Sequence, residues 1–189
     1  MVPFAKPGAS ENYDVMGADA ARRALADAGI GYADVQQAYV GYVYGDSTCG
    51  QTALYGVGLT GIPIVNVNNN CSTGSSALWL ARQAVATGGV ADCVLALGFE
   101  QMRPGALVNV WDDRPSPPVA ARRSRPPNAA VISPPRRWPP RRSVVPGVAY
   151  MEKYGIGPEI FGRVSVKARS HAARNPPWPC SGIRSTWTR

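Results

Sequence analysis

Histidine is almost missing from this 189-residue sequence, where His171 is the only one. Four cysteines, Cys49, Cys71, Cys93 and Cys180, show neither CxxC spacing nor a histidine cluster beside them. A metal site is therefore not expected, and the cysteines read as free thiols of a reduced, cytoplasmic protein. No apolar run reaches the roughly 18 residues that a membrane-spanning helix needs, so no membrane partner is expected. The N-terminal Met-Val-Pro-Phe-Ala-Lys-Pro-Gly lacks the basic region and apolar run of a secretory signal. Acidic residues are scarce in one part of the chain only. Met1 to Val110 holds 5 basic and 8 acidic residues, Trp111 to Pro146 holds 8 and 2, and Gly147 to Arg189 holds 7 and 2. The net charge of +8 thus belongs to the last 79 residues and says little about a folded N-terminal part.

What is present before that point alternates between helix and strand signals. Asp14 to Ala28 is rich in helix formers, with Val15, Ala18, Ala21, Leu25 and Ala28 predicted on one face and Gly29 and Gly31 at the stop. Val35 to Tyr44 reads as a strand, Gln51 to Leu59 as a short helix and Ile64 to Val67 as a second strand. Asn68 to Gly74 is a turn, followed by a helix from Ser75 to Thr87 and an apolar strand from Asp92 to Gly98. Strand, helix and strand in that order form a βαβ unit and predict a parallel sheet in an α/β fold. Ala77, Leu78, Ala81, Ala84 and Val85 give the middle helix a small-residue face able to approach a sheet or another helix closely.

The pattern stops at Pro115. From there to Pro146 the chain carries ten prolines and seven arginines without either period, too little to bury and too few backbone donors for a sheet. Order is expected again from Ala149, with helical content around Tyr150 to Gly155 and Ile160 to Ser170, and is lost after Pro176. Four segments follow: 1–114, an α/β unit; 115–148, irregular; 149–176, helical; and 177–189, an irregular tail.

Cys71 sits between strand and helix, among Asn, Ser, Thr and Gly. Open amides and the dipole at a helix N-terminus stabilise a thiolate, and the same amides could hold an oxyanion developing on a thioester. Local context leaves this open beside the alternative of a small residue in a tight turn. Cys93 reads as core, Cys49, in a Gly-flanked loop, as an interface or packing residue ahead of a pocket-lining one, and His171, among basic residues, as a solvated surface side chain. Glu100 reads as a carboxylate that satisfies loop amides at a strand end.

The run Gln36-Gln37-Ala38-Tyr39-Val40-Gly41-Tyr42-Val43-Tyr44-Gly45-Asp46-Ser47-Thr48-Cys49-Gly50-Gln51 resembles thiolases of the sterol-carrier-protein type. Gly58-Leu59-Thr60-Gly61-Ile62-Pro63-Ile64 does too, as do Asn66 to Leu78 and Ala96-Leu97-Gly98-Phe99-Glu100-Gln101-Met102. The resemblance implies an incomplete thiolase-like layered fold with a mostly parallel sheet, and it makes Cys71 the acyl-accepting nucleophile. It implies thiolysis of 3-ketoacyl-CoA through an acyl-enzyme, coenzyme A as co-substrate, no bound cofactor, and a homodimer.

The family pattern is departed from in several places. The strand expected before Pro3 is not there, and Thr52 and Gly56 stand where Arg and Glu are expected. The resemblance stops at Asp112-Asp113-Arg114 and resumes in step at Met151-Glu152-Lys153-Tyr154-Gly155, running through Lys167 and His171 to Asn175-Pro176. That pattern points to a reading-frame shift and its compensation across 115–148. The family's activating histidine and second cysteine lie in a later half that this sequence does not contain, and His171 matches neither. The expectation is a chain with negligible turnover, open sheet edges and a tendency to aggregate. Two other readings compete with a thiolase fragment. One is a binding protein whose Arg122-Arg123, Arg136-Arg137-Trp138 and Arg141-Arg142 contact acidic partners, with nucleic acid disfavoured because no nucleic-acid motif occurs. The other is a subunit completed by a second chain.

Overall fold

The computed structural model describes residues 1–86, 88, 90–104, 113–114 and 141–174. The described residues divide into two units, one holding everything up to 104 and the other 113–114 and 141–174. The 115–140 part of the expected irregular segment lies outside the described residues, as does the tail with Cys180.

Helix α1 spans Tyr13–Ala28 and turns Gly17, Ala18, Ala21 and Leu25 inward. Val15, expected on that face, is half exposed, as the inward stripe is centred on Ala21 and Leu25. Gly17 takes the inner place because the packing there is close: a Cβ on it would meet the Ala53 Cβ at 3.1 Å and Phe99 Cδ1 at 3.3 Å. The helix ends at Gly29 in the left-handed region (φ 69°), where the Gly29 amide donates to the Ala26 carbonyl and that of Ile30 to Leu25. Its start is tied down from afar. The Gln101 side-chain carbonyl accepts from the Tyr13 amide at 3.0 Å, and Gln101 Nε2 donates to the Asn12 side chain.

A short 3₁₀ turn, Tyr32–Asp34, leads into strand β1 (Gln37–Gly41). Helix α2 (Cys49–Tyr55), strand β2 (Ile64–Val67), helix α3 (Thr73–Ala86) and strand β3 (Val94–Gly98) follow. The sheet is parallel throughout, in the order β2-β1-β3. The expected βαβ unit therefore crosses over a strand: β1 lies between β2 and β3, pairing Ala38 with Ile64 on one side and with Leu95 on the other. Strand β1 is shorter than the expected Val35–Tyr44 because the amides of Val43 and Tyr44 turn to the Glu100 carboxylate instead of a neighbouring strand.

One face of β1 and β3, carrying Ala38, Val40, Leu95 and Leu97, packs with α1 and α2 into the core. Helix α3 lies on the other face and approaches it closely. A Cβ on Gly41 would fall 2.8 Å from Thr73 Cγ2, so no larger residue fits there without displacement. This closeness decides which side chains of α3 point in. Ala77, Ala81 and Ala84 are buried, whereas Leu78 and Val85, expected on the same face, are exposed together with Trp79. Among the described residues β2 and β3 each pair on one side only, so both outer edges are open.

The second unit contains helix α4 (Arg141–Tyr154) and helix α5 (Glu159–Ala172). The expected irregular segment ends at 148, but α4 begins at Arg141. Pro146 falls in its second turn, where its missing amide removes a single bond, to the Arg142 carbonyl. Gly155 (φ 63°) ends α4, and Phe161 Cζ would lie 3.7 Å from a Cβ at Gly147, bringing the helices together. No helix among the described residues is long and apolar enough to cross a membrane.

Candidate active site

The loop from Asn68 to Ser72 links the C-terminal end of β2 to α3, and side-chain hydrogen bonds brace it from within and from the first turn of the helix. Asn68 Oδ1 accepts from the Asn70 amide at 3.1 Å, and Asn69 Nδ2 donates to Ser76 Oγ at 2.9 Å. Ser72 Oγ donates to the Asn69 carbonyl at 2.8 Å. Thr73, 4% exposed, is the buried anchor: its Oγ1 accepts from the Asn69 amide at 2.9 Å and donates to the Asn70 carbonyl. Asn70 takes the left-handed conformation (φ 50°), which asparagine tolerates better than most residues.

This cross-bracing presents Cys71 at the surface. Its side chain is exposed, and its thiol faces Asn70 Oδ1 at 3.7 Å. The first intrahelical bond runs from the Ser76 amide to the Ser72 carbonyl at 2.9 Å, so Cys71 stands one residue before the cap. The turn occupies two of the amides expected to be open there, Ser72 to the Asn69 carbonyl and Thr73 to that of Asn70. The amides of Gly74 and Ser75 find no backbone partner among the described residues. What the arrangement offers is an accessible sulfur just ahead of a helix whose first turn keeps two amides without a backbone partner.

A cavity of about 180 Å³ opens at the C-terminal ends of β1 and β2, where open α/β sheets bind ligands. Tyr42, Asp46, Ser47, Asn66 and Asn68 are among its lining residues. Its walls are braced. The Tyr42 hydroxyl donates to the Asp46 carbonyl at 2.8 Å and accepts from the Cys49 amide at 3.3 Å, and its ring stacks on Phe99 with centroids 5.2 Å apart. Asn66 Oδ1 accepts from the Gly50 amide, and its Nδ2 donates to Gln51. Burial pushes the Tyr42 phenol above its ordinary value, against the opposing pull of the Cys49 amide.

The other candidates fall where their sequence context places them. Cys49 is buried at the start of α2, and Cys93 packs half-buried against the core. Glu100 accepts from the amides of Val43 at 3.0 Å and Tyr44 at 2.9 Å, a structural role. His171 is exposed in the last turn of α5. Among the described residues no three His, Cys, Asp or Glu side chains are grouped to hold a metal. Sequence reasoning missed Thr73, Asn69 and Ser76 as the braces of the loop. The signal was there, since closely spaced Asn, Ser and Thr favour such side-chain-to-backbone turns.

Residues 1–114 match the thiolase N-terminal domain family. The chain is 51% identical over 178 residues to sterol carrier protein 2 of Gallus gallus, and 47% identical over 179 residues to that of Homo sapiens. Each alignment covers 93% of this chain and 32% of the relative. It is also 32% identical over 172 residues to the benzoylsuccinyl-CoA thiolase subunit BbsB of Thauera aromatica, covering 87% of this chain and 40% of that protein. The chain thus spans about a third of the length of the sterol carrier proteins it matches.

Proposed function

As the chain belongs to the thiolase family, we propose that it represents an acyltransferase acting on 3-ketoacyl-CoA in lipid metabolism, with Cys71 as the acyl-accepting nucleophile. The observation that carries the reading is the exposed Cys71 thiol, in a loop between β2 and the first turn of α3 that Thr73 and Ser72 brace. In the proposed first step the Cys71 thiolate attacks the 3-keto carbon. The bond between the α and β carbons breaks, its electron pair passes to the α-carbon, and that carbon takes up a proton as the shortened CoA thioester leaves. The thiol of a second coenzyme A then attacks the acyl-Cys71 thioester and returns the sulfur to its starting state. The Gly74 and Ser75 amides would steady the oxyanion of both additions.

The reading includes a homodimer in a reducing cytoplasm, with coenzyme A as co-substrate and no bound prosthetic group. It assigns no described residue as the base that ionises Cys71 or protonates the α-carbon. The only histidine, His171, is exposed on α5 in the other unit. Groups that act as a unit in catalysis fail together, so acylation without sustained turnover is proposed for this chain by itself.

Incubation with acetoacetyl-CoA, followed by mass spectrometry of the intact and digested chain, tests the reading. One acetyl group on the Cys71 peptide, absent from Cys71→Ser and released by added coenzyme A, is the expected result. An acetyl group spread equally over Cys71 and Cys93, or none at all, would overturn it.

A further inference from the structure

The helix pair of the second unit carries charge and apolar surface that the thiolase reading does not use. Helix α5 buries none of its side chains. At 3.6 residues per turn, Arg163, Lys167 and His171 fall within about 80° of one another, and Ile160, Val164 and Phe161 span about 100° that overlap this sector at Ile160 and extend beyond it. All six are exposed. No ion pair forms on α5 among the described residues, so neither Arg163 nor Lys167 is paired with a carboxylate there. Helix α4 adds two exposed tyrosines: Tyr150 and Tyr154 touch with ring centroids 4.5 Å apart, and Lys153 Nζ lies 5.1 Å from the Tyr154 ring centre. Where the connecting loop meets the first turns of α5, a cavity of about 240 Å³ is lined by Ile156, Glu159, Ile160 and Arg163.

A basic stripe that merges on one side into an apolar one is the pattern of a helix that lies in a lipid headgroup layer. Cations meet the lipid phosphates there, apolar side chains enter the acyl boundary and phenols stay at the wet edge. Residues 141–174 hold seven Lys and Arg against two Glu, so the complementary partner is anionic. A duplex nucleic acid would satisfy the charge but leave Ile160, Phe161 and Val164 facing water. We propose that the α4–α5 pair docks on an anionic phospholipid surface, lying on it without crossing it.

Flotation of the full chain with phosphatidylcholine vesicles, with and without phosphatidylserine, tests this, because aggregated protein sinks. The chain is expected to float with the anionic vesicles only, and to be released as salt is raised. Arg163→Gln with Lys167→Gln should weaken binding about 30-fold, at about 1 kcal/mol for each basic residue near the surface. Val164→Asp should weaken binding to the same vesicles with helix content, read by circular dichroism, unchanged. Failure to float with anionic vesicles would overturn the proposal, as would unchanged binding by the double variant. Displacement from the vesicles by double-stranded DNA would do the same and make nucleic acid the partner. Neither result depends on Cys71.

Discussion

The two units of this chain differ in where their apolar side chains go. In the first, α1 and α2 cover one face of a parallel sheet so fully that Ala38, Val40, Ala53 and Leu54 are inaccessible to water. In the second, α5 has no buried residue, Ile160, Val164 and Val166 are exposed, and no strand stands among the described residues. The described residues of the second unit form a helix pair without a third layer, which cannot enclose a core, whereas three parallel strands with helices on both faces can begin to. The difference separates roles as well. The first unit packs β2 and α3, which flank the Cys71 loop, against a core, and the second leaves α5 exposed.

Stability should therefore respond to truncation in one unit only. Leu54→Ala, which empties a site of 0% exposure, is expected to cost about 2–5 kcal/mol of unfolding free energy. Val164→Ala, at a position 63% exposed, should stay within about 0.5 kcal/mol. Urea midpoints followed by circular dichroism measure both. Equal losses at the two sites would mean that α5 is packed in solution, and the contrast between the units would fail.

The part of this contrast legible in the sequence is the part set by local chemistry. Strand β2 occupies the residues its apolar run marks, Ile64–Val67, because Pro63 and the asparagines bound it on both sides. Gly29 stops α1 because it alone accepts a left-handed φ there without strain. The role of Glu100 was readable from its position after a strand end. What periodicity could not reveal were the distances between elements. Leu78 and Val85 share an apolar stripe with Ala77, Ala81 and Ala84, yet only the alanines fit beneath a helix lying this close to Gly41. The place of β1 between β2 and β3 is likewise a long-range choice. The composition of the Pro- and Arg-rich segment hid the start of α4, because it gave no apolar period to count.

The same closeness sharpens the comparison through two glycines a short distance apart. An alanine methyl at Gly41 would meet Thr73 Cγ2 at 2.8 Å and the Thr73 carbonyl oxygen at 3.0 Å, while at Gly74 it would meet nothing within 4 Å. Gly41→Ala must push the first turn of α3 away from the sheet, at about 1–3 kcal/mol, and loosen the brace that Thr73 gives the Cys71 loop. Gly74→Ala should be neutral or stabilise α3 by up to about 1 kcal/mol. Urea unfolding, paired with the rate of iodoacetamide labelling at Cys71, reads both effects. Labelling unchanged by Gly41→Ala would mean that the loop holds its shape without the contact.

The smallest expected effect is on titration. Three phenols of the first unit are pushed above their ordinary value of 10.0: Tyr13 mainly by its hydrogen bond with the Cys49 side chain, Tyr32 and Tyr42 mainly by burial. A raised value means that the folded chain holds the proton more tightly than the unfolded one. The stabilisation is then fully present below about pH 10 and is lost as pH rises through the folded values. Absorbance at 295 nm followed against pH should place the difference between the wild type and Tyr42→Phe above pH 10, and denaturant should return it to about 10. A difference centred at pH 10 in the native chain would mean that Tyr42 is open to water. The stacking of Tyr42 on Phe99, and with it the closed wall of the first unit's cavity, would then not persist in solution.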